Sequence, residues 1–279
     1  MKSYINLFGH GFIGKHYSAT FPCAVNDRND LVPKTNELLY FISTTDNYNV
    51  HNNPHVDIDT NLTTLIRVLE NCRKLQQPAT INFASSWFVY GHGDNVDETS
   101  HCDPQGFYSI TKRTAEQLLI SYCKTFNMNY RIMRIANVIG IGDKNASLKK
   151  NALTGLLQKI FKGEEVNIYN GGEFNRDYID VRDLVHAINL VCTGGKLNEI
   201  YNIGTGHPTR FIDAINYIVD QTRSPSKINF VDASPFHKIV QTKSFSMNCD
   251  KLFQLGFVPK YTVYDTIDTL IEYERVKTL

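Results

Sequence analysis

The stretch Gly9-His10-Gly11-Phe12-Ile13-Gly14 decides the fold class of this chain. An apolar run at residues 4–8 predicts a strand before it, and apolar residues at helical spacing over 12–21 predict a helix after it. A GxGxxG turn in this setting is typical of dinucleotide binding, because its glycines permit a tight turn, a close approach to a pyrophosphate and close helix–strand packing. The alternative is a tight turn without a ligand; the flanking strand and helix favour the binding site.

The helix that follows this turn offers free N–H groups and a partial positive charge to phosphates. We therefore predict that the cofactor phosphates are held by Gly9, Gly11, Phe12, Ile13 and Gly14. Asp27 follows the next predicted strand, where a carboxylate accepts hydrogen bonds from the adenine ribose and favours NAD. Arg28 beside it could instead pair with a 2′-phosphate and favour NADP, so both NAD(H) and NADP(H) stay open.

Strands and helices alternate along the first half of the chain, which predicts a parallel sheet wrapped by helices. Further strands are predicted at 23–25, 38–42, 79–84 and 130–138, and helices at 60–75 (with Asp59 or Thr60 as its cap) and 108–126. In the second half, shorter helices are predicted at 151–162, 181–192, 209–222 and 265–275. The expected architecture is an α/β fold, a Rossmann-type doubly wound parallel sheet with a smaller C-terminal substrate-binding subdomain.

The chain is expected to divide into two parts with different roles. Residues 1–140 are mainly a dinucleotide-binding domain, shortened between its second and third strands. Residues 141–279 are mainly a substrate-binding subdomain, with some segments returning to the Rossmann sheet.

Composition excludes several classes of protein. The 279 residues carry 29 Lys+Arg and 28 Asp+Glu, which argues against a dedicated nucleic-acid binder because that would need a basic excess. The longest apolar runs are too short to span a bilayer, and the N-terminus lacks the pattern of an export signal. None of the six cysteines forms a CxxC motif. We expect a cytoplasmic protein with reduced thiols, no metal site and no membrane partner.

A second motif carries chemistry. Tyr108 and Lys112 are spaced i and i+4 at the start of a predicted helix, so their side chains share one face. An unperturbed tyrosine has a pKa of about 10, and a nearby ammonium stabilises the phenolate. The alternative is an ordinary exposed Tyr and Lys, which the upstream sequence makes less favourable.

Phe83-Ala84-Ser85-Ser86-Trp87-Phe88-Val89-Tyr90-Gly91 resembles the strand end of the extended short-chain dehydrogenase/reductase family, in its NAD-dependent epimerase/dehydratase group acting on nucleotide sugars. Four other stretches are similar to motifs of that family in the same order. They are Asn53-Pro54 with Asn61, Arg134 to Gly140, Arg176 to Asp183, and Tyr201 to Gly206. Five ordered motifs are far more specific than any one, and the resemblance covers nearly the whole chain.

The resemblance assigns expected roles. It implies that Ser86, Tyr108 and Lys112 are catalytic, with Tyr108 and Lys112 also touching the cofactor. Ser43 and Thr44 stand where relatives have small residues beside the cofactor. The substrate is expected to contact Ser86, Trp87, Asn137 and Arg176, the last two at its diphosphate. The alternative for Arg176 is a surface ion pair with Asp177 or Asp180. His237 or Lys238 stands where relatives usually offer an arginine to the diphosphate.

Departures from the family pattern narrow the reaction. Trp87 and Phe88 replace the Asp-Glu pair that the 4,6-dehydratases use, and Trp87 also replaces the cysteine of fucose-synthase-like epimerising members. Only 34 positions separate Gly9 from Ser43, too few for a strand–helix unit that the family usually has there. We expect the adenine end of the site to be open.

The sequence therefore predicts an NAD(P)-dependent reductase of the 4-keto group of a nucleotide-diphospho (deoxy)sugar, as in bacterial surface-polysaccharide or lipopolysaccharide precursor synthesis. The close alternative is a nucleotide-sugar 4-epimerase with tightly bound NAD, which needs the same three catalytic residues. A further alternative is a non-catalytic dinucleotide-binding sensor, which has no need of them. The resemblance also implies a homodimer through the helices near 60–75 and 108–126.

Overall fold

The computed structural model describes residues 4–143, 151–240 and 243–277. Its strands are β1 (Ile5–Phe8), β2 (Cys23–Val25), β3 (Glu37–Tyr40), β4 (Thr80–Ser86), β5 (Gly93–Val96), β6 (Asn129–Ile135), β7 (Asn137–Ile139), β8 (Val166–Tyr169), β9 (Asn175–Asp180), β10 (Glu199–Ile203), β11 (Pro208–Arg210), β12 (Ile228–Val231) and β13 (Phe245–Met247). Its α-helices are α1 (Phe12–Thr20), α2 (Asn49–Asn52), α3 (His55–Ile58), α4 (Thr64–Cys72), α5 (Phe107–Thr125), α6 (Ala152–Phe161), α7 (Val181–Gly194), α8 (Phe211–Thr222), α9 (Pro235–Val240), α10 (Asp250–Phe253) and α11 (Val263–Lys277).

The central sheet has six strands in the order β10-β6-β4-β3-β1-β2, and every neighbouring pair is parallel. Helices cover both faces, so the predicted doubly wound α/β fold is confirmed. The strand order reverses between β1 and β3, because β2 lies on one side of β1 and all later strands lie on the other. In such sheets the ligand crevice opens at the carboxyl ends of the strands at this switch point.

Two hydrophobic layers enclose the sheet. On one face Leu7, Leu39 and Ile203 are fully buried beneath α1 and α7. On the other face α4 and α5 pack their apolar sides on the strands, with Leu65 and Leu119 fully buried. A second core joins α6, α8 and α11 to β8 and β9 in the C-terminal half.

The connection between β2 and β3 contains no helix or strand; it is a loop over residues 26–36. Asn6, a polar residue in an apolar strand, anchors this loop. Its amide donates to Asn26 Oδ1 at 2.7 Å and its Oδ1 accepts from the Lys34 N–H at 2.7 Å. Both polar atoms of this buried amide have partners, so the loop is held close to the sheet. Strand β2 is the edge strand on this side of the sheet.

Two predicted elements differ from the structure. The strand expected over 130–138 is divided at Ala136, whose N–H donates to Ile203 in the main sheet, and β7 beyond it pairs with β9 in a separate three-stranded sheet. The helix expected over 60–75 begins earlier, at α3, and passes through a π-helical turn, Asp59–Thr63, before α4. The assignment of Asp59 or Thr60 as its cap is therefore wrong, since both lie inside the helical segment.

Two-stranded sheets join distant parts of the chain, β12 with β8 and β13 with β5. The second of these connects the segment after β4 to the C-terminal region. No helix among the described residues has the length and apolarity that crossing a membrane requires.

Candidate functional site

The glycine turn at the end of β1 has the shape that the sequence predicts. Gly9 has φ +95°, and a Cβ there would lie 2.8 Å from the Ile42 nitrogen. A Cβ on Gly14 would lie 2.3 Å from the Gly9 carbonyl oxygen. Side chains are therefore excluded at both positions, because the turn packs against the end of β3 and α1 packs against the turn.

Gly11 is different, because nothing in the protein fills the space beside it. It is exposed, caps α1 without any side-chain hydrogen bond, and a Cβ there would meet no atom within 4 Å. The first-turn N–H groups of α1, which include those of Phe12 and Ile13, thus begin beside an open approach to the backbone. These features fit the pyrophosphate of a dinucleotide.

The segment after β3 forms the other side of this crevice. The Ser43 hydroxyl lies 3.0 Å from Asn61 Oδ1, and the Thr44 N–H donates to the same oxygen at 2.9 Å. The Asn61 amide in turn donates to the hydroxyls of Thr44 and Thr111, each at 2.9 Å. Asn61 lies in the π-helical turn, a feature frequent at functional sites, and it fixes the predicted cofactor residues Ser43 and Thr44 against α5.

The structure brings Ser86, Tyr108 and Lys112 together. Ser86 is the last residue of β4, and the other two lie on the first turns of α5. Tyr108 is only 9% exposed, and the hydroxyls of Ser86 and Ser43 interact with its phenol. Burial raises the pKa of Tyr108 to about 12, although the two serine contacts act to lower it. The phenol is therefore protonated near neutral pH.

Lys112 is held rigidly beneath the site. It is 2% exposed, its Nζ donates to the Ala84 carbonyl at 2.6 Å, and it lies 4.3 Å from the centre of the Phe83 ring. Burial lowers the pKa of Lys112 to about 7, while the charge of Glu116 acts to raise it. The neutral amine and the ammonium form of Lys112 are therefore both populated at neutral pH.

Glu116 extends the series Tyr108, Lys112 at the same spacing of four, a signal that could have identified it from the sequence. It is completely buried, and Arg134 donates to it from Nη2 at 2.8 Å. The Ser85 hydroxyl donates to its Oε1 at 2.5 Å, and these partners hold the pKa of Glu116 below its usual value against the effect of burial. Glu116 therefore anchors the backbone next to Ser86.

A cleft lies between the end of β4 and the C-terminal half. It is lined by Asn47, Tyr48, Trp87, Phe88, Asn137, Ala152, Leu156, Lys159, Glu165, Val166, Asn167, Ile168, Tyr169, Phe174, Arg176, Tyr178, Phe211 and His237. Eleven of these eighteen residues are apolar or aromatic and seven are polar or charged, a combination that suits a small-molecule site. Three of the predicted substrate residues, Trp87, Asn137 and Arg176, line it.

Arg176 lies in the wall of this cleft between two aromatic rings. Its guanidinium carbon is 5.1 Å from the centre of the Trp87 ring and 4.6 Å from that of Phe174. Nη1 donates to the Asn175 carbonyl at 2.8 Å and also to the Lys243 carbonyl. Burial lowers its pKa to about 10, so it remains charged at neutral pH. The guanidinium is thus a cation held in a fixed plane.

The two aspartates considered as partners of Arg176 hold other groups. Asp177 accepts hydrogen bonds from Thr205 and Gly206, and Asp180 forms an ion pair with Arg182. Asn137 lies beside Arg176 in the cleft wall, and its amide donates to the Asp177 carbonyl at 3.1 Å. Trp87 is 3% exposed and stacks on Phe88 and Phe245 with ring centres 4.0 and 4.5 Å away.

The far wall of the cleft comes from segments distant in sequence. The Tyr48 hydroxyl hydrogen-bonds to His237 Nε2, while the other nitrogen of His237 bonds to Ser234 at 2.7 Å. Burial lowers the pKa of His237, so its ring is neutral at neutral pH. Lys238 is exposed and is not among the residues that line the cleft. A second cation at the position of His237 is therefore not provided in this structure.

Asp27 and Arg28 are exposed at the open edge of the crevice. The β1–β2 register pairs Leu7 with Val25, and the Asn26 N–H donates to the Leu7 carbonyl at 2.9 Å, so Asp27 lies just after the carboxyl end of β2. Both side chains belong to the loop over residues 26–36 and are accessible.

Comparison with known proteins decides the family. A model of the NAD dependent epimerase/dehydratase family matches residues 38–204. The chain belongs to this family. Protein CapI of Staphylococcus aureus is 25% identical over 248 residues, which cover 79% of this chain and 70% of that protein. The family is NAD dependent, as its name states, and the glycine turn described above fits that cofactor.

Solved structures share the fold over nearly the whole chain. The UDP-glucose 4-epimerase of Thermotoga maritima, crystallised with UDP-glucose, has a TM-score of 0.88 and 20% identity, with 99% of this chain and 100% of that one covered. RMD from Pseudomonas aeruginosa, crystallised with NADPH, has a TM-score of 0.85 and 19% identity, with 99% and 100% covered. At such identities the likeness shows the fold alone.

Proposed function

We propose that this protein reduces the 4-keto group of a nucleotide-diphospho (deoxy)sugar with NADH or NADPH. The observation that carries this proposal is the placement of the Tyr108 phenol, which can act as a proton donor. The phenol is buried beside the hydroxyls of Ser86 and Ser43, next to the dinucleotide turn, and its pKa is about 12. A reduction needs a proton donor at this position. The same tyrosine would also serve the reduction step of an epimerase, so the choice between the two reactions rests on how enclosed the adenine end of the site is.

Three side chains divide the work. The dinucleotide, when bound, supplies the hydride to the carbonyl carbon. Tyr108 donates its proton to the carbonyl oxygen, so the C=O bond becomes a secondary alcohol. Ser86 donates a hydrogen bond to the same oxygen. Lys112, fixed on the Ala84 carbonyl, stabilises the phenolate that Tyr108 leaves and places an N–H donor toward the cofactor ribose.

The cleft supports a nucleotide-diphosphate as the handle of the substrate. Arg176 presents a fixed guanidinium, which suits phosphate oxygens because its planar fork donates two parallel hydrogen bonds. Asn137 lies next to it, and aromatic side chains including Tyr169 and Phe211 line the cleft beyond. The UDP-glucose bound by the epimerase named above has this chemistry.

A nucleotide-sugar 4-epimerase is the second candidate, because a solved 4-epimerase has the same fold and the three catalytic residues serve both reactions. An epimerase regenerates its cofactor in each cycle and gains from enclosing it. Here the adenine edge beside β2 has only a loop over residues 26–36. A cofactor that is less enclosed dissociates faster, which suits a reductase. A non-catalytic sensor is the least favoured, since it has no need of Ser86, Tyr108 and Lys112.

The experiment that tests this proposal measures cofactor content and consumption. Purified protein is denatured and its released NAD(H) quantified; we expect well under one equivalent. Added NADH or NADPH should then be consumed in a one-to-one ratio with a nucleotide-linked 4-keto-sugar. Protein that arrives saturated with NAD and interconverts two nucleotide-hexoses without net NADH consumption would establish the epimerase instead.

Two further properties belong to this proposal. We propose weak discrimination between NADH and NADPH, because Asp27 and Arg28 are both exposed at the adenine edge. We also propose a cytoplasmic enzyme of surface-polysaccharide precursor synthesis. All six cysteines are free, as a reducing compartment would keep them.

A homodimer through α4 and α5 is part of the same proposal. Ile66 on α4 is 40% exposed and Ile110 on α5 is 47% exposed, while Ile58 just before the π-helical turn is 38% exposed. Apolar side chains on neighbouring helices of one face favour a contact with a second copy of the chain.

A further inference from the structure

Asp57 on α3 is a buried carboxylate that the catalytic scheme above does not use. Asp57 is fully buried, with 0% of its surface exposed. Oδ1 accepts hydrogen bonds from the Thr44 hydroxyl and from the Asn49 amide, the latter at 3.0 Å. Oδ2 has no hydrogen-bond partner, and among the described residues no lysine, arginine or histidine forms an ion pair with Asp57.

Such a group is unusual in a folded protein. Buried carboxylates are normally paired, because removing a charge from water without compensation is costly. Four buried side-chain polar atoms in the described part of the chain lack a hydrogen-bond partner, and Oδ2 of Asp57 is the one that belongs to a carboxylate. A buried group of this kind asks for a functional explanation.

The position of Asp57 indicates what it faces. It is bonded to Thr44, and Thr44 is fixed by Asn61, whose amide also reaches Thr111 on α5. The Thr111 hydroxyl donates to the Tyr108 carbonyl at 2.8 Å, and α3 packs on α5. The charge of Asp57 also acts to raise the pKa of Tyr108, so the carboxylate lies within electrostatic range of the phenol.

We propose that Asp57 supplies a buried negative charge that favours the oxidised, positively charged nicotinamide over the neutral reduced ring. This inference rests on the proposed function, in which the cofactor lies beside Thr44 and its reacting ring delivers hydride next to Tyr108. Hydride transfer turns a neutral dihydronicotinamide into a cation, and an uncompensated anion in a low-dielectric site stabilises that cation. Asp57 thereby favours hydride release to the substrate. The proposed role of Asp57 is electrostatic, and Asp57 is not a catalytic residue.

The test compares the affinities of NAD⁺ and NADH, measured by calorimetry without any sugar substrate. Asp57→Asn keeps the shape and the acceptor for Thr44 but removes the charge. We expect it to weaken NAD⁺ binding about tenfold and to change NADH binding less than threefold. The matched control is Asp59→Asn, two residues later on an exposed side chain, which makes the same change in net charge and should leave both affinities unchanged.

The outcomes are separable. Equal changes for both cofactor forms, or no change for either, would overturn this inference while leaving the reductase proposal intact. Wild-type protein that binds neither NAD(H) nor NADP(H) would overturn the proposed function itself. The Asp57→Asn variant should melt no lower than wild type, since it loses an unpaired buried charge. Should it fail to fold, Asp57→Ser removes the same charge with less bulk, and the affinity ratio is measured on that variant.

Discussion

The proposed catalytic end and the proposed nucleotide end of the site are built in different ways. Ser86, Tyr108 and Lys112 come from one strand end and one helix start, and each is fixed by neighbours on those elements. The far wall of the cleft combines Tyr48 with His237, which are 189 positions apart in sequence. The first arrangement follows from local spacing and the second only from the tertiary fold.

This difference indicates which part of the site is rigid and which part can vary between relatives. The proposed proton donor, Tyr108, is buried within a regular sheet and helix, where a small displacement would disrupt the reaction geometry. At the nucleotide end, Arg176 lies on strand β9, but the far wall comes from a turn that carries Tyr48 and from the short helix α9 that carries His237. Such loops and short elements are parts that a family can vary to accept different substrates. Substitutions at the two ends should therefore affect different kinetic constants.

The largest expected effect is at the catalytic end. Tyr108→Phe removes the proton donor without removing the ring, so kcat for reduction should fall by at least ~10²-fold. The affinity for NAD(H), measured by calorimetry, should stay within a factor of a few, because the glycine turn and Lys112 are untouched. A variant that retains wild-type kcat on its proper substrate would show that Tyr108 is not the donor.

A smaller effect, in a different constant, is expected at the nucleotide end. Arg176→Ala should raise KM for the nucleotide sugar by about 10- to 150-fold, the cost of a lost charged hydrogen bond in a sheltered site. The affinity for the cofactor should change little. Arg210→Ala is the matched control, because Arg210 is an exposed arginine paired with Asp213. Equal weakening of both ligands in calorimetry would move Arg176 out of the substrate site.

The comparison also explains what could be predicted from the sequence. The GxGxxG turn and the Tyr108–Lys112 spacing are local patterns, and the fold carries them on the predicted elements. The sequence predicts one strand over residues 130–138, whereas the division at Ala136 depends on the pairing of β7 with a remote strand. Local sequence contains no record of that partner.

Asp57 shows the same limit at a single residue. In the sequence it is an ordinary acidic residue in a polar stretch that begins near Asn47. Its burial follows from the packing of α3 on α5 and from the hydrogen bond with Thr44, neither of which has a local signature. The spacing of four between Asp57 and Asn61 is the one local sign that both side chains share a helical face.

The smallest expected effect is on the free energy of unfolding, and it is expected at Lys112 in the proposed catalytic end. Burial lowers its pKa to about 7, below the ordinary value of about 10.4. Between these pH values the unfolded chain binds a proton at Lys112 that the folded chain lacks, so wild-type stability rises with pH across this window. Lys112→Met removes this unfavourable group and also loses one hydrogen bond to Ala84. Reductase activity should be lost, yet the variant should be more stable at pH 7 by about 1–3 kcal/mol.

Thermal melting at several pH values checks this expectation. A gain of that size corresponds to a Tm increase of several degrees at pH 7, and it should shrink steadily as the pH approaches 10. Lys124→Met is the matched control, since Lys124 is exposed near the end of the same helix and should change stability by less than about 0.5 kcal/mol. A Lys112→Met variant that melts below wild type at every pH would mean that the ammonium contributes to the fold as well as to catalysis. In that case the burial of Lys112 would not be a loss of stability that the protein accepts for its activity.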